Sequence, residues 1–354
     1  MASIKDIAKA VGSSPATVSR VLNNPDYHCS DEKLRKKIWD AAMEMDYVPN
    51  EAARNLKKGA GSSAGKTYYL YVLMTRTEKA QTDPFFSELL RVVETEIHRK
   101  SCILSGVWYN SVFSDDKRCK SANPDKLVDE LYAETDGKCD GLIVIGRCNK
   151  EILKKLNMRF GNVVSVNRNS TNREVDEVTC DGRKVAALAV ESLIRLGHRD
   201  IGYVGECRNE VRYKGFSETL AKHDIELVPG FIYETKQTEA AGYDIMENIL
   251  KSTEAPTGIY CANDITALGM LHAMSKVKNR AKRISIISSD DIERAQYSKP
   301  MLSTVSLPKE EMGRFAVMLL YDRIVGGHKS VIKMELDGHL VLRESCYEYN
   351  DPVR

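Results

Sequence analysis

No apolar run in this chain reaches the ~18 residues that a membrane-spanning helix needs, so no transmembrane segment is expected. The N-terminus starts in an amphipathic pattern rather than a charged and apolar leader, so no signal peptide is expected either. The nine cysteines are odd in number and hold no C-x-x-C pair, which argues against a disulfide framework and for a reducing cytoplasm. The seven histidines (His28, His98, His198, His223, His272, His328, His339) are scattered without metal-ligand spacing, so ordinary free side chains are expected and no metal. Neither G-x-G-x-x-G nor G-x-S-x-G occurs, and no acid/base pair stands out; no catalytic residue and no cofactor are expected. A sugar-modifying α/β enzyme carrying a regulatory head is the competing reading, and it would need a catalytic dyad that the sequence does not display.

Charge of one sign is scarce as well. The chain has 52 basic and 50 acidic residues, a net of +2. Ten and eight of these fall in residues 1–60, leaving 42 of each beyond. A single N-terminal segment is therefore mildly cationic and would hold DNA weakly alone, because non-specific affinity is largely phosphate neutralisation. Dimerisation is the natural remedy.

What is present begins at Ser3, where Ser3 and Asp6 form a capping-box pattern ahead of Ile4, Ile7, Ala8 and Val11 on one helical face. Gly12 can take the left-handed conformation that stops this helix. Ser14 then caps a second helix with Pro15 at its first position. Val18, Val21 and Leu22 bury that helix, leaving Pro15, Ala16, Thr17, Ser19, Arg20 and Asn23 on or beside its exposed side. Two short helices joined by so tight a turn make a helix-turn-helix, whose second helix is the one that enters a major groove. A third helix after Ser30 carries Leu34, Ile38, Ala41, Ala42 and Met45 on one stripe. From Asn50, a plausible cap, to Gly59 there is room for about two turns, too short to be stable alone. Leu56 flanked by Arg54, Lys57 and Lys58 suits a minor-groove wedge that folds on docking.

The linker that follows contains Ala60-Gly-Ser-Ser-Ala-Gly-Lys-Thr, one residue away from a P-loop. A P-loop follows a strand and opens a helix, whereas this stretch follows a helix and opens a strand, so nucleotide binding is rejected. Beyond it, short apolar runs (68–74, 102–107, 141–145, 163–166, 201–205, 258–262, 284–288) alternate with amphipathic helices (85–100, 126–133, 183–196, 211–223, 240–250, 265–275). That alternation implies parallel sheets covered on both faces. Roughly 290 residues exceed one compact core, so two doubly wound α/β lobes are expected. The organisation expected is a head at 1–48, a hinge and linker at 49–67, and a core at 68–354. The first lobe would take 68–166 and 307–328, and the second 169–305 and 329–345, with the first crossover near 167–172.

Three motifs, Ser3-Ile-Lys-Asp-Ile-Ala-Lys-Ala-Val-Gly, Ala16-Thr-Val-Ser-Arg-Val-Leu-Asn and Tyr47-x-Pro-Asn-x-x-Ala-Arg-x-Leu, resemble the signature of the lactose-repressor family of transcriptional regulators. Asp181-Gly, Gly197-His-Arg-Asp-Ile-Gly-Tyr-Val-Gly, Arg212-Tyr-Lys-Gly-Phe, Ala262-Asn-Asp and Leu302-Ser-Thr-Val extend the likeness into the core, whose fold in that family is similar to periplasmic sugar-binding proteins. The resemblance implies a repressor acting on double-stranded DNA with a pseudo-palindromic operator. It implies a DNA surface of Ser3, Ser14, Pro15, Ala16, Thr17, Ser19, Arg20, Asn23, Tyr47, Asn50, Ala53 and Leu56, with Leu56 and its dimer mate inserted at the central step. No leucine heptad occupies 337–354, so a homodimer rather than a tetramer is expected.

In doubly wound sheets ligands gather at the carboxyl ends of strands, and a cleft between two lobes is the expected pocket. Phe85 or Phe86 offers a flat face for a sugar ring unless both are core. Arg212 can fork onto paired hydroxyls or a carboxylate, or else lies in a surface salt bridge with Glu206 or Glu210. Asp264 can accept two hydroxyl hydrogen bonds, cap the next helix, or do both. The resemblance raises Arg212 and Asp264, and it places Gln237 where several relatives carry an aromatic platform and Asn167 where many carry an acid, while Asp290 and Asp291 fall after the 284–288 strand. Arginine, acids and one aromatic suit a polyhydroxylated effector, whereas a purine would want more stacking and fewer acids. The run Ile284-Ser-Ile-Ile-Ser-Ser-Asp-Asp-Ile resembles the galactoside-responsive branch, so galactose or a β-galactoside is the expected small sugar effector.

Overall fold

The computed structural model describes residues 4–23, 31–45, 66–76, 83–114, 116–167, 175–208, 210–277 and 283–350, and these belong to two units, Met1–Lys66 and Thr67–Arg354. In the first unit, Gly12 takes φ +66° and closes helix α1 (Ile4–Val11), as its lack of a side chain permits. Ser14 caps α2 (Pro15–Asn23) by accepting from the Thr17 amide at 3.1 Å. Asp31 caps α3 (Glu32–Glu44), accepting from the amides of Lys33 and Leu34 at 3.0 and 3.1 Å. Ile7, Ala8, Val18, Val21, Leu22, Ile38 and Ala42 close the small core. The expected hinge helix and most of the linker lie outside the described residues.

The second unit runs β1 (Tyr69–Met74), α4 (Pro84–Arg99), β2 (Ile103–Tyr109), α5 (Asp116–Ser121), α6 (Pro124–Ala133), β3 (Gly141–Ile145), α7 (Lys150–Phe160), β4 (Val163–Asn167) and β5 (Asp176–Thr179). It continues with α8 (Gly182–Arg195), β6 (Ile201–Gly205), α9 (Val211–Lys222), β7 (Ile232–Glu234), α10 (Glu239–Lys251), β8 (Gly258–Cys261), α11 (Asp264–Lys276), β9 (Ser285–Asp290) and α12 (Glu293–Tyr297). The last elements are β10 (Ser303–Ser306), α13 (Lys309–Ile324), β11 (Lys333–Glu335) and β12 (His339–Val341). One sheet has the order β11-β5-β4-β3-β1-β2, all parallel. The other has the order β12-β10-β9-β8-β6-β7, parallel except that β12 runs antiparallel to β10.

Strand periodicity explains the layering. Successive side chains of a strand point to opposite faces. Accordingly Leu70, Val72 and Met74 of β1 join the cluster of Phe85, Leu89, Val93 and Leu320, while Tyr71 and Leu73 join that of Leu131, Ile152, Leu156 and Phe160. Each large apolar side chain so buried contributes roughly 1.5–3 kcal/mol. In the second lobe, α10 and α11 pack closely at two glycines, Gly242 and Gly269.

Two lobe boundaries differ from the expectation. The first crossover lies not at 167–172 but between β5 and α8, because 176–179 pairs with β4 in the first sheet. Residues 333–335 also join the first sheet, beside β5, so the third crossover falls at 336–338. The reason is a buried carboxylate: Asp176 accepts two bonds from Arg323 (both 2.7 Å), one from the Ile332 amide (2.8 Å) and one from His328 (2.8 Å). Compensation from α13 and the segment after it lets an acidic stretch sit in a sheet, a pattern that apolar periodicity does not reveal.

Candidate functional site

On α2, Pro15, Ala16 and Arg20 are exposed and Thr17 and Ser19 half-buried, opposite the packed Val18, Val21 and Leu22. The exposed Ser14 is spent on the turn, with its hydroxyl 2.9 Å from that of Thr17. A helix with one side anchored and a short-chain, singly cationic side open has the shape that a major groove admits. Ser3, Tyr47, Asn50, Ala53, Leu56 and the side chain of Asn23 lie outside the described residues.

In the second unit the strand ends form the second candidate site. Arg212, in the first turn of α9, is buried and held in a fork by Glu210: Nε donates to Oε1 at 2.9 Å and Nη2 to Oε2 at 3.0 Å. Its Nη1 donates to the Ala262 carbonyl at 2.5 Å, and Nη2 also reaches Gln237 Oε1 at 3.4 Å. The expected ion pair with Glu210 exists, but it is interior rather than on the surface. Burial works against the guanidinium charge and Glu210 more than offsets it, so the arginine stays charged. Glu210 also accepts from the Arg212 amide at 3.1 Å, capping α9.

Asp264 does not cap the next helix. Asn263 caps α11, accepting from the Thr266 amide at 3.1 Å. Asp264 is fully buried, with Oδ1 accepting from the hydroxyls of Ser288 (2.5 Å) and Thr304 (2.7 Å) and Oδ2 from the Ile292 amide (2.8 Å). It does accept two hydroxyl hydrogen bonds, but from the protein's own side chains. Burial pushes its carboxyl up to about 6 against the lowering effect of those three donors. The flat-face expectation for Phe85 and Phe86 is corrected too: both are core, packed edge to face at 5.1 Å.

Asn167 ends β4 half-buried, and Asp290 ends β9 with φ +128°. The thiol of Cys261, at the end of β8, is pushed up to about 12, first by burial. Asp264 and Asp290 raise it further and Arg212 lowers it.

Sequence reasoning did not find the contacts that join the lobes. Lys309, opening α13, pairs with Glu88 of α4 at 2.7 Å and donates to the carbonyls of Asp290 (3.0 Å) and Asp291 (2.7 Å). Glu88 also accepts from the Glu293 amide at 3.2 Å. Arg76, beyond β1, pairs with Glu206, beyond β6, at 3.5 Å. None of these follows a local motif; each joins residues more than a hundred positions apart or across a crossover.

Against known proteins, residues 3–50 match the family described as bacterial regulatory proteins, lacI family, and residues 190–346 match the periplasmic binding protein-like domain. The HTH-type transcriptional repressor PurR of Mannheimia succiniciproducens is 29% identical over 353 residues, covering 98% of each chain. Its namesake from Pasteurella multocida is 28% identical over 352 residues, with 98% of each covered. Among solved structures, the transcriptional regulator CelR–cellobiose complex aligns with a TM-score of 0.67 at 21% identity, covering 98% of this chain and 100% of that one. The Lac repressor dimer bound to operator and the anti-inducer ONPF aligns with a TM-score of 0.64 at 24% identity, covering 97% and 98%. These two likenesses speak to the fold.

Proposed function

We propose that this chain is a DNA-binding transcriptional repressor of the lactose-repressor family, not an enzyme, and that a small sugar, galactose or a β-galactoside, controls it from between the two lobes. α2 would read the operator through Pro15, Ala16, Thr17, Ser19, Arg20 and Asn23. Ser3, Ser14, Tyr47, Asn50 and Ala53 would support that contact, and Leu56 would wedge the central step of a pseudo-palindrome bound by a cytoplasmic homodimer. Asn167, Arg212, Gln237 and Asp290 would contact the effector. Ligand binding shifts the lobes only by its differential affinity for two arrangements.

One observation carries the effector reading: polar, charge-balanced groups converge at the strand ends, where Arg212, Glu210 and Gln237 meet. The PurR relatives make a purine the rival effector. A purine is held best between aromatic faces, and the rings of Phe85 and Phe86 are both committed to the core.

The test is fluorescence anisotropy of a labelled pseudo-palindromic duplex with a central CG step, at fixed salt, titrated with galactose, lactose, glucose and a purine base. Release by one galactoside supports the proposal. Tighter binding with a sugar keeps the carbohydrate class and makes the system a corepressor one. Response to the purine alone overturns the carbohydrate reading. Leu56→Ala is expected to weaken operator binding with sugar affinity intact; unchanged operator affinity would remove the wedge.

A further inference from the structure

Arginine near a strand end suggests an anion site, yet this one is already filled. A guanidinium has five N–H donors in a rigid fork. Glu210 takes the Nε and Nη2 edge with both of its oxygens, Gln237 faces the second Nη2 hydrogen, and the Ala262 carbonyl takes one on Nη1. One Nη1 hydrogen remains without a partner among the described residues. Gln237 turns its oxygen toward Arg212, so its Nε2 points away, buried and with no hydrogen-bond partner among the described residues.

We propose that Glu210 is a specificity-determining residue, making the effector site accept an uncharged, hydroxyl-bearing ligand and reject anionic ones. The inference rests on the reading of the cleft as the effector site and adds the ligand's charge class. A carboxylate or phosphate binds arginine best through the fork, two parallel N–H donors at once. Here it would have to evict Glu210, and the evicted carboxylate would stay tethered two residues away as a like charge. A hydroxyl or ring oxygen needs one donor at a time, which the remaining Nη1 hydrogen and the Gln237 amide supply. The same loop repeats the device at the facing lobe. Glu206 pairs with Arg76 as Glu210 pairs with Arg212, so the loop after β6 compensates a cation from each side of the cleft. The nearby tyrosines have their polar ends occupied, Tyr203 donating to the Glu206 carbonyl at 2.9 Å and Tyr260 bonded to Ser289 at 2.8 Å.

The experiment is calorimetry on the full chain, wild type, E210Q and the double variant E210Q/R212M, with inorganic phosphate and acetate as probes. Galactose is then set against galactose 6-phosphate on the wild type. E210Q keeps an acceptor for the α9 cap while removing the charge. Saturable phosphate or acetate binding is expected in E210Q, about 100-fold tighter than in wild type, and lost again in the double variant. Equal anion binding in wild type and E210Q overturns the proposal. So does a wild type that takes galactose 6-phosphate as tightly as galactose, a result that needs no variant. Absence of both signals, in variant and wild type alike, overturns it as well. If E210Q gains the anion while wild type ignores both sugars, charge selection stands and the carbohydrate reading falls.

Discussion

Asp264→Asn removes one charge from the interior and leaves the side-chain shape unchanged, so its effect follows from the three donors around it. In the wild type Oδ1 faces the hydroxyls of Ser288 and Thr304, and Oδ2 faces the Ile292 amide. An asparagine oriented to keep the two hydroxyl bonds turns its NH2 group toward the Ile292 N–H, and the two donors oppose each other. Unsatisfied buried donors cost ~1–3 kcal/mol each, so the swap loses ~3 kcal/mol. Against this stands the charge. Burial raises the carboxyl to about 6, above the ~3.9 of an unfolded aspartate. The folded state therefore holds the proton more tightly, and stability from this group is gained as pH falls through 6 toward 4. At pH 7.5 the ionised group carries a penalty of ~3 kcal/mol, which asparagine relieves.

Loss and relief are of equal size at pH 7.5, so D264N is expected within ~1 kcal/mol of wild type there. By pH 4.5 most of the relief has gone, because wild-type Asp264 is protonated, and the variant falls ~2 kcal/mol behind. Protonation is accommodated locally: Ser288 can turn its hydroxyl to the Ser303 carbonyl, 3.4 Å away. Urea unfolding of the full chain at both pH values, followed by far-UV circular dichroism, reads the gap. A gap independent of pH, or one that closes on acidification, would refute an ionised, buried Asp264.

His328 has Nδ1 at 2.6 Å from Asp322 and Nε2 at 2.8 Å from Asp176; a neutral ring has one N–H, so both contacts require the imidazolium. Its pKa is raised, first by Asp322, so its contribution to stability is complete below ~6.5 and lost as pH rises through the higher folded value. NMR titration should show this raised value, and H328Q should flatten the stability profile in that window; a His328 titrating at or below the unfolded value would sink the idea. Gly269→Ala places a Cβ 1.9 Å from the Glu239 carbonyl and should cost about 3 kcal/mol or more, read as a lowered urea midpoint; wild-type stability would mean that α10 and α11 can separate freely. Glu88→Gln discharges the acceptor of the Glu293 amide and the partner of Lys309, which between them reach the second lobe, and should shift the lobes toward opening by about 1 kcal/mol, seen as a larger radius of gyration in small-angle scattering; an unchanged radius would remove Glu88 from that equilibrium.

The head was legible because its signals are local. Gly12, Ser14 and the stripe from Leu34 to Met45 act within a few residues of themselves, and each takes its expected place. The alternation of β1 was legible for the same reason. Asp176 was not, because two acids at the start of a strand read as a loop until Arg323 and His328 arrive from 147 and 152 positions away. The site residues divide in the same way. Residue type marked Arg212 and Asp264 as important, but type does not say which donors face them. Asp264 meets Ser288 and Thr304, supplied by β9 and β10, and Arg212 meets Glu210 only because a turn opening α9 folds the carboxylate back on the fork.

The lobes meet through paired charges, and that constrains how any effector acts. Arg76 with Glu206 joins the lobes directly, while Glu88 and Lys309, paired within the first lobe, reach the Glu293 amide and the Asp290 and Asp291 carbonyls of the second. These pairs are partly exposed, so each is worth about 1 kcal/mol at most. Together they can bias the balance between two arrangements only slightly. An effector with a few kcal/mol of differential affinity then moves the population almost completely. The three crossovers, at 180–181, 307–308 and 336–338, lie side by side: the Leu336 amide donates to the Thr179 carbonyl at 2.8 Å, and Gly338 approaches the Ser306 carbonyl. Three adjacent strands resist shear more than bending. An effector's differential affinity would then act on the bending of these segments and on the weak charge pairs together.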